Sequence, residues 1–359
     1  MTSTTSKAIA ARLGFVAAMT LLAFPAFGGG SAAAASDPIY DKQDVLAKVT
    51  SADGSHISRV KFFQDPTFAH GRGIALYVYS AAMNKDIPLE IQRPDDVSKP
   101  RPVLYLLNGG GGGEDGAIWQ NQTNVMPWLA DKKVNVVTPI GGAYSYYTDW
   151  IRPDPVLGVN EWKTFLTEEL PPIINAALGT NGKNSIAGLS MSGTSVLQLP
   201  EQAPGLYESA AAYSGCAQTS DPLGQAAVRF LVEGRGRGNT DNMWGPPTDP
   251  LWRENDPVIH ADKLRGVTLY ISSGSGLPGK YDVGPQADPG PDGIVAQITV
   301  GGGIEAVTRV CSLNLQKRLN ELDIPATYNF PPSGTHSWKY WQDDLKDSWP
   351  VISAPLGIE

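Results

Sequence analysis

Histidine and cysteine are scarce in this 359-residue chain, which has four of the first and two of the second. His56, His70, His260 and His336 show no ligand spacing such as H-x-x-x-H, and Cys216 and Cys311 are too few for a disulfide framework or a Cys-rich zinc site. No metal centre and no cofactor are expected. Basic runs are also missing, and 28 Lys+Arg against 36 Asp+Glu leave a formal net charge of −8. Attraction to nucleic-acid phosphates therefore has no source, and nucleic acid is not an expected partner. There is no internal repeat and no Pro/Ser-rich linker, and the apolar stretch at 13–27 falls short of the roughly 20 residues that a membrane-spanning helix needs. What is present is 42% hydrophobic against 18% charged residues. That supports one large core or at most two domains, and excludes a disordered tail or a coiled coil.

The first thirty-six residues have the layout of a secretory signal. Lys7 and Arg12 precede an apolar stretch at 13–27, followed by Gly28-Gly29-Gly30-Ser31 and alanines at 32–35. Cleavage is expected near Ala35 or Ser36, giving an exported protein with residues 37–359 as one domain and no transmembrane anchor. Export means an oxidising compartment, so Cys216 and Cys311 are expected to pair, the alternative being two buried free thiols. Such a bridge closes a long loop and is worth about 4 kcal/mol in the chain-entropy picture.

Residues 57–63, 73–79 and 87–92 read as short antiparallel strands separated by turn residues. The pattern then changes: 103–107 and 134–138 are unbroken apolar or β-branched runs, the mark of strands covered on both faces. Helical spacing follows at 125–133, 161–178 (despite Pro171-Pro172), 194–198 and 304–322, alternating with strands at 185–187, 209–213, 267–271 and 326–330. This alternation predicts an α/β fold with a mostly parallel central sheet and helices on both faces. Residues 215–262, rich in Gly, Pro and Trp and without a clear period, read as an insertion over the carboxyl edge of the sheet, where such folds bind ligands.

Gly188-Leu-Ser190-Met-Ser192-Gly193 follows a strand and precedes a helix, so it fits a nucleophile elbow, although the last glycine of G-x-S-x-G is Ser192 here. A serine nucleophile needs a base, and in this fold class the acid and histidine follow the serine in the chain. His336, just past the last strand, is placed for that role; His260 lies in the insertion and reads as a surface or packing residue. The acid is open among Asp282, Asp288, Asp292 and Glu305, the three aspartates in a Gly/Pro-rich loop and expected to be solvated, Glu305 at a helix start where a carboxylate suits the dipole. The run Asn108-Gly109-Gly110-Gly111-Gly112-Gly113 leaves a buried strand and reads as an oxyanion loop, its bare backbone free to donate N–H groups.

Five stretches carry a family resemblance: Leu104-Tyr-Leu-Leu-Asn-Gly109, Asn135-Val-Val-Thr-Pro-Ile-Gly-Gly142 with Tyr146-Tyr-Thr-Asp-Trp150, the Ser190 motif, residues 239–256 with Met243-Trp-Gly-Pro246, and Asn329-Phe-Pro-Pro-Ser-Gly-Thr-His-Ser-Trp338. Together the chain resembles the mycolyltransferases of the antigen 85 type, most of all their corynebacterial branch, within the esterase D-like α/β-hydrolases. The resemblance implies an α/β-hydrolase fold, Ser190 as nucleophile, His336 as base, Glu305 as acid with Asp282 second, and oxyanion donors at the Gly110 and Met191 amides. It also implies Asn108, Gly111 and Trp338 as substrate-binding residues. The family has Asp-Gly and then Arg two places on where this chain has Asn108-Gly109 and Gly111, so the acceptor side is altered.

The activity the resemblance implies is transfer of a mycolyl group from trehalose monomycolate to a second one or to cell-wall arabinogalactan, outside the cell or in its envelope. The indole rings of Trp244, a candidate substrate-binding residue, Trp252 and Trp338 are expected to wall the site from water, the alternative being ordinary core packing. Two rivals remain: a secreted carboxylesterase with water as acceptor, and a non-catalytic matrix-binding protein on the same scaffold. Acyl length, preferred acceptor and oligomeric state are left open.

Overall fold

The computed structural model describes residues 46–358; the signal segment expected at 1–36 lies outside them. Nine strands form one sheet: β1 (His56–Gln64), β2 (Arg72–Ser80), β3 (Lys85–Gln92), β4 (Val103–Leu107), β5 (Asn135–Pro139), β6 (Asn184–Leu189), β7 (Ser209–Tyr213), β8 (Thr268–Ser272) and β9 (Thr327–Asn329). The order is β1-β2-β3-β5-β4-β6-β7-β8-β9. The pairs from β1 to β3 and from β3 to β5 are antiparallel, and every pair from β5 through β9 is parallel. Among the described residues the five longest helices are α1 (Leu170–Leu178), α2 (Met191–Gln202), α3 (Pro222–Arg229), α4 (Gly302–Glu321) and α5 (Trp338–Leu356).

Alternation along the central strands divides the core in two. Val103, Tyr105, Leu107, Ile186, Ala210, Ala212, Leu269 and Ile271 join one cluster with Ile173 and Ile174 of α1, Val196 and Leu199 of α2, and Leu315 and Leu319 of α4. Leu104, Leu106, Val136, Ala187, Leu189, Ala211 and Tyr213 join the other, with Val125, Met126 and Leu129 and with Trp341, Leu345, Trp349 and Ile352 of α5. Side chains two apart share a face, so an unbroken apolar run is what a strand covered on both sides requires.

Three helical readings need correction. The helix expected over 161–178 is divided into Trp162–Thr164, a wider π-type turn at Phe165–Glu169, and α1. Pro171 and Pro172 then fall in the first turn of α1, directly after that wider turn. The insertion holds a helix that its composition hid. Asp221 caps α3 by accepting from the Gly224 amide at 2.7 Å, with Pro222 at the first helical position. The last helix, α5, was unread, because Pro350 and Pro355 interrupt it; its stripe Trp341-Leu345-Trp349-Ile352-Leu356 has helical spacing throughout.

The two cysteines are joined in a Cys216–Cys311 disulfide that ties the segment after β7 to α4.

Candidate active site

Ser190 stands between the carboxyl end of β6 and the start of α2, with φ +56°, a left-handed backbone that an L-residue adopts only under constraint. The constraint is visible. The Ser190 amide donates to the Tyr213 carbonyl at 2.9 Å, and the Ser192 hydroxyl accepts from the Leu189 amide at 2.9 Å while donating to the Leu189 carbonyl at 3.0 Å. Ser192 thus latches the turn, which is why a serine stands where the common motif has glycine. The close approach falls one residue later, where a Cβ on Gly193 would lie 2.8 Å from the Tyr213 carbonyl oxygen and 2.9 Å from Gly215 Cα.

His336, in the loop between β9 and α5, brings Nε2 to 2.8 Å from Ser190 Oγ and Nδ1 to 2.8 Å from Glu305 Oε2. Glu305 lies in the first turn of α4 and is 1% exposed. Its other oxygen, Oε1, accepts from Ser214 Oγ at 2.8 Å, Ser273 Oγ at 3.0 Å and the Gly274 amide at 2.5 Å. Burial would raise the Glu305 carboxyl, but the hydrogen bond and charge of His336 and the hydroxyls of Ser214 and Ser273 outweigh it, leaving the group below its ordinary range and ionised. The imidazole also stacks edge-on against Trp341, with ring centres 4.8 Å apart.

Of the four candidate acids, Glu305 is the one that meets His336. Asp288 pairs with Lys339 at 3.2 Å, and Asp292 is exposed on the cavity lining. Asp282 is not solvated: it is 2% exposed, its carboxylate enclosed by hydrogen-bond donors. The donors to Glu305 were not read from the sequence. Their signal was position alone, since Ser214 follows β7 and Ser273-Gly274 follows β8, both at the carboxyl edge of the parallel sheet.

A cavity of about 1210 Å³ opens over Ser190 and His336. Gly110 and Met191 line it with the serine. Met191 is the first residue of α2, and an amide there has no intrahelical acceptor, so its N–H is available beside Ser190. One wall is apolar, from Leu223, Ala226 and Phe230 on the insertion side and Val300, Ile304 and Val307 on the α4 side. Trp338 also lines it, edge-on to Trp119 and Trp341 at 5.6 and 5.4 Å.

Two expected substrate contacts are not met. Asn108 is fully buried beneath the glycine loop, its Nδ2 donating to the Pro139 carbonyl and its Oδ1 accepting from the Trp119 amide, both at 3.4 Å. Trp244 is fully buried away from the cavity, packed on Tyr146 and Trp252, whose indole ring is equally interior; both fill core. Gly111 does line the cavity, and a Cβ there would fall 2.1 Å from an Asp115 carboxylate oxygen. That carboxylate occupies the space a larger residue at 111 would need. His260 sits in the insertion as expected, at the start of a short turn.

A family model described as putative esterase matches residues 80–351. The chain is 31% identical over 290 residues to the diacylglycerol acyltransferase/mycolyltransferase Ag85A of Mycobacterium leprae, spanning 79% of this chain and 83% of that one. It is 31% identical over 289 residues to the enzyme named Ag85B of Mycobacterium avium, again spanning 79% and 83%. Among solved structures, Mycobacterium tuberculosis MPT51 (FbpC1) superposes with a TM-score of 0.64 at 27% identity, over 78% of this chain and 97% of that one. The fluorophosphonate-binding serine hydrolase FphF of Staphylococcus aureus, at 18% identity, shares the fold with a TM-score of 0.58 over 79% and 98%. An α/β-hydrolase fold and relatedness over most of its length make this chain a member of the esterase family, homologous to the antigen 85 mycolyltransferases.

Proposed function

We propose that the protein is an exported serine acyltransferase that moves mycolyl groups from trehalose monomycolate to a sugar hydroxyl through an acyl-Ser190 intermediate. The observation that carries this reading is the unbroken chain of short contacts Ser190 Oγ–His336–Glu305, opening into an apolar-walled cavity of about 1210 Å³. A cavity that large exceeds the usual range for small-ligand sites and suits a long acyl chain.

In the forward step Ser190 Oγ attacks the ester carbonyl of the donor while His336 Nε2 takes its proton. The Glu305 carboxylate accepts from Nδ1–H, which fixes the tautomer that leaves Nε2 free as base. The tetrahedral oxyanion is met by the Gly110 and Met191 amides. Collapse breaks the ester C–O bond, and trehalose leaves with the proton that His336 returns. A hydroxyl of a second trehalose monomycolate, or of arabinogalactan, then gives its proton to Nε2 and attacks the acyl-enzyme, and collapse restores Ser190. Transfer outruns hydrolysis when the acceptor is positioned, because positioned groups reach effective molarities of about 10⁵ M or more against water at about 55 M.

Incubation with trehalose monomycolate and analysis of the products tests the reading. Trehalose dimycolate supports it; free mycolate as the sole product favours the carboxylesterase, with water as acceptor; no turnover and no phosphonate labelling of Ser190 favours a matrix-binding role. The Cys216–Cys311 disulfide fits export, since such bonds persist in oxidising compartments.

A further inference from the structure

We infer that Asp282 is a positioning residue for the proposed reaction: its buried carboxylate joins the loop that carries His336 to the turn that leads into the helix of Glu305. The inference rests on the proposed roles of Ser190, His336 and Glu305.

Asp282 belongs to the segment between β8 and α4, 23 residues before Glu305. Its Oδ1 accepts from Thr335 Oγ1 at 2.5 Å and from Gln297 Nε2 at 2.8 Å. Its Oδ2 accepts from the Tyr340 hydroxyl at 2.7 Å and from the Gly279 amide at 2.8 Å. These four donors come from four places. Thr335, 1% exposed, directly precedes His336; Tyr340 is in the first turn of α5; Gln297 is in the π-type turn Gln297–Gly301 that runs straight into α4; Gly279 belongs to the aspartate's own loop. One side chain therefore grips the base's loop from both sides of the histidine and holds it to the element that delivers the acid.

Nearby backbone bonds follow the same path. The Gly334 amide donates to the Leu277 carbonyl at 2.7 Å, the Gly276 amide to the Gly334 carbonyl at 2.9 Å, and the His336 amide to the Gly301 carbonyl at 3.3 Å. All of these span the same two segments, yet Asp282 is the one side chain among them that touches three of the elements at once. A carboxylate so deeply buried is costly unless every lone pair is matched. Here the matching is by neutral donors, and among the described residues no Lys or Arg pairs with it. Burial acts to raise its carboxyl, but the bonds from Thr335, Tyr340, Gly279 and Gln297 outweigh this and hold it below the ordinary range, so it is charged and acts only as an acceptor. A loop merely needing a surface turn would not require a buried anion; Asp288 of the same segment is exposed and held by Lys339.

Misplacement of a reacting group by about 1 Å can cost 10²-fold in rate, and a group acting only on geometry leaves ground-state binding in place. The test is steady-state kinetics on a soluble short-chain ester together with the rate at which a phosphonate labels Ser190. Thr335→Val keeps the shape and removes one donor; it is expected to lower kcat about 10-fold with KM within about 2-fold, and to slow labelling in step. The Thr335→Ser variant, which retains the hydroxyl, should recover most of that rate. Replacing the carboxylate in Asp282→Asn should cost about 100-fold in kcat; where that variant fails to fold, the valine and serine pair decides. Wild-type kcat and labelling rate in Thr335→Val, a loss confined to KM, or an equal loss in Thr335→Ser would overturn the inference. Unimpaired turnover in Ser190→Ala would instead overturn the reading on which it rests.

Discussion

A hydroxyl becomes a nucleophile near neutral pH only when a neighbour takes its proton, so the individual contacts around Ser190 decide the chemistry. Replacing Ser190 or His336 by alanine is expected to lower kcat by roughly 10³–10⁶-fold while leaving thermal unfolding cooperative. Glu305→Gln is the more telling change. The donors Ser214, Ser273 and Gly274 hold the amide oxygen at the Oε1 position. The amide NH₂ then faces His336 Nδ1 and demands an acceptor there, which puts the remaining proton on Nε2 and leaves Ser190 without a base. A loss of about 10⁴-fold in kcat is expected, and near-wild-type turnover would contradict the acid role.

One further carboxyl lies beside this group without entering the relay. Asp344 of α5 accepts from Asn329 Nδ2 at 3.0 Å, and burial, against which Ser272 and Asn329 act, together with the nearby charges of Glu305 and Asp347, raises it from 3.8 to about 8. The folded state therefore binds a proton that the unfolded chain has released across that interval. The associated stability is fully present below about pH 4 and is lost as pH rises through about 8. Thermal unfolding of Asp344→Asn against wild type across pH 4 to 9 should show the variant gaining over that window and the gain levelling off above it. Parallel curves would contradict the assignment.

Elements were legible where one period ruled them. The five parallel strands from β4 to β8 were readable because each is a short apolar run bounded by turn residues, and the strand-to-helix position of Ser190 followed from them. Two helices were not. Leu223 and Ala226 of α3, with Phe230 just beyond its end, face a cavity instead of the core, and α5 carries prolines that argue locally against a helix its tertiary packing sustains. Asp282 looked solvated because Gly and Pro surround it in sequence, whereas its burial is made by Thr335 and Tyr340, more than fifty residues on. Asn108 was expected at the substrate from its place in the resemblance and Trp244 as an aromatic wall, and burial reassigns both. At this scale the elbow offers a test. Backbone meets backbone between Gly193 and Gly215, where a Cβ on Gly215 would lie 2.3 Å from the Gly193 carbonyl carbon. Gly215→Ala should cost about 1–3 kcal/mol, read as a lowered denaturation midpoint, because the atoms it would meet are backbone atoms of α2 that cannot swing aside.

Over the whole molecule, the three proposed reacting groups come from positions 190, 305 and 336, and the sheet is what brings them together: β6, β8 and β9 run parallel and deliver their carboxyl ends to one rim. The Cys216–Cys311 disulfide spans a sequence separation of 95 and fastens the loop behind Ser214 to the helix of Glu305. Loop-closure entropy gives it about 4–5 kcal/mol, so reduction should move the guanidinium midpoint down by a corresponding amount, and an unchanged midpoint would show that the bridge adds nothing to the fold. The most direct test of the central claim is peptide-resolved mass spectrometry of the full protein after brief exposure to a mycolyl ester. The account predicts acyl mass on the peptide containing Ser190, absent in Ser190→Ala and released when a sugar acceptor is added. Acyl mass on any other residue, or turnover with Ser190 replaced, would contradict it.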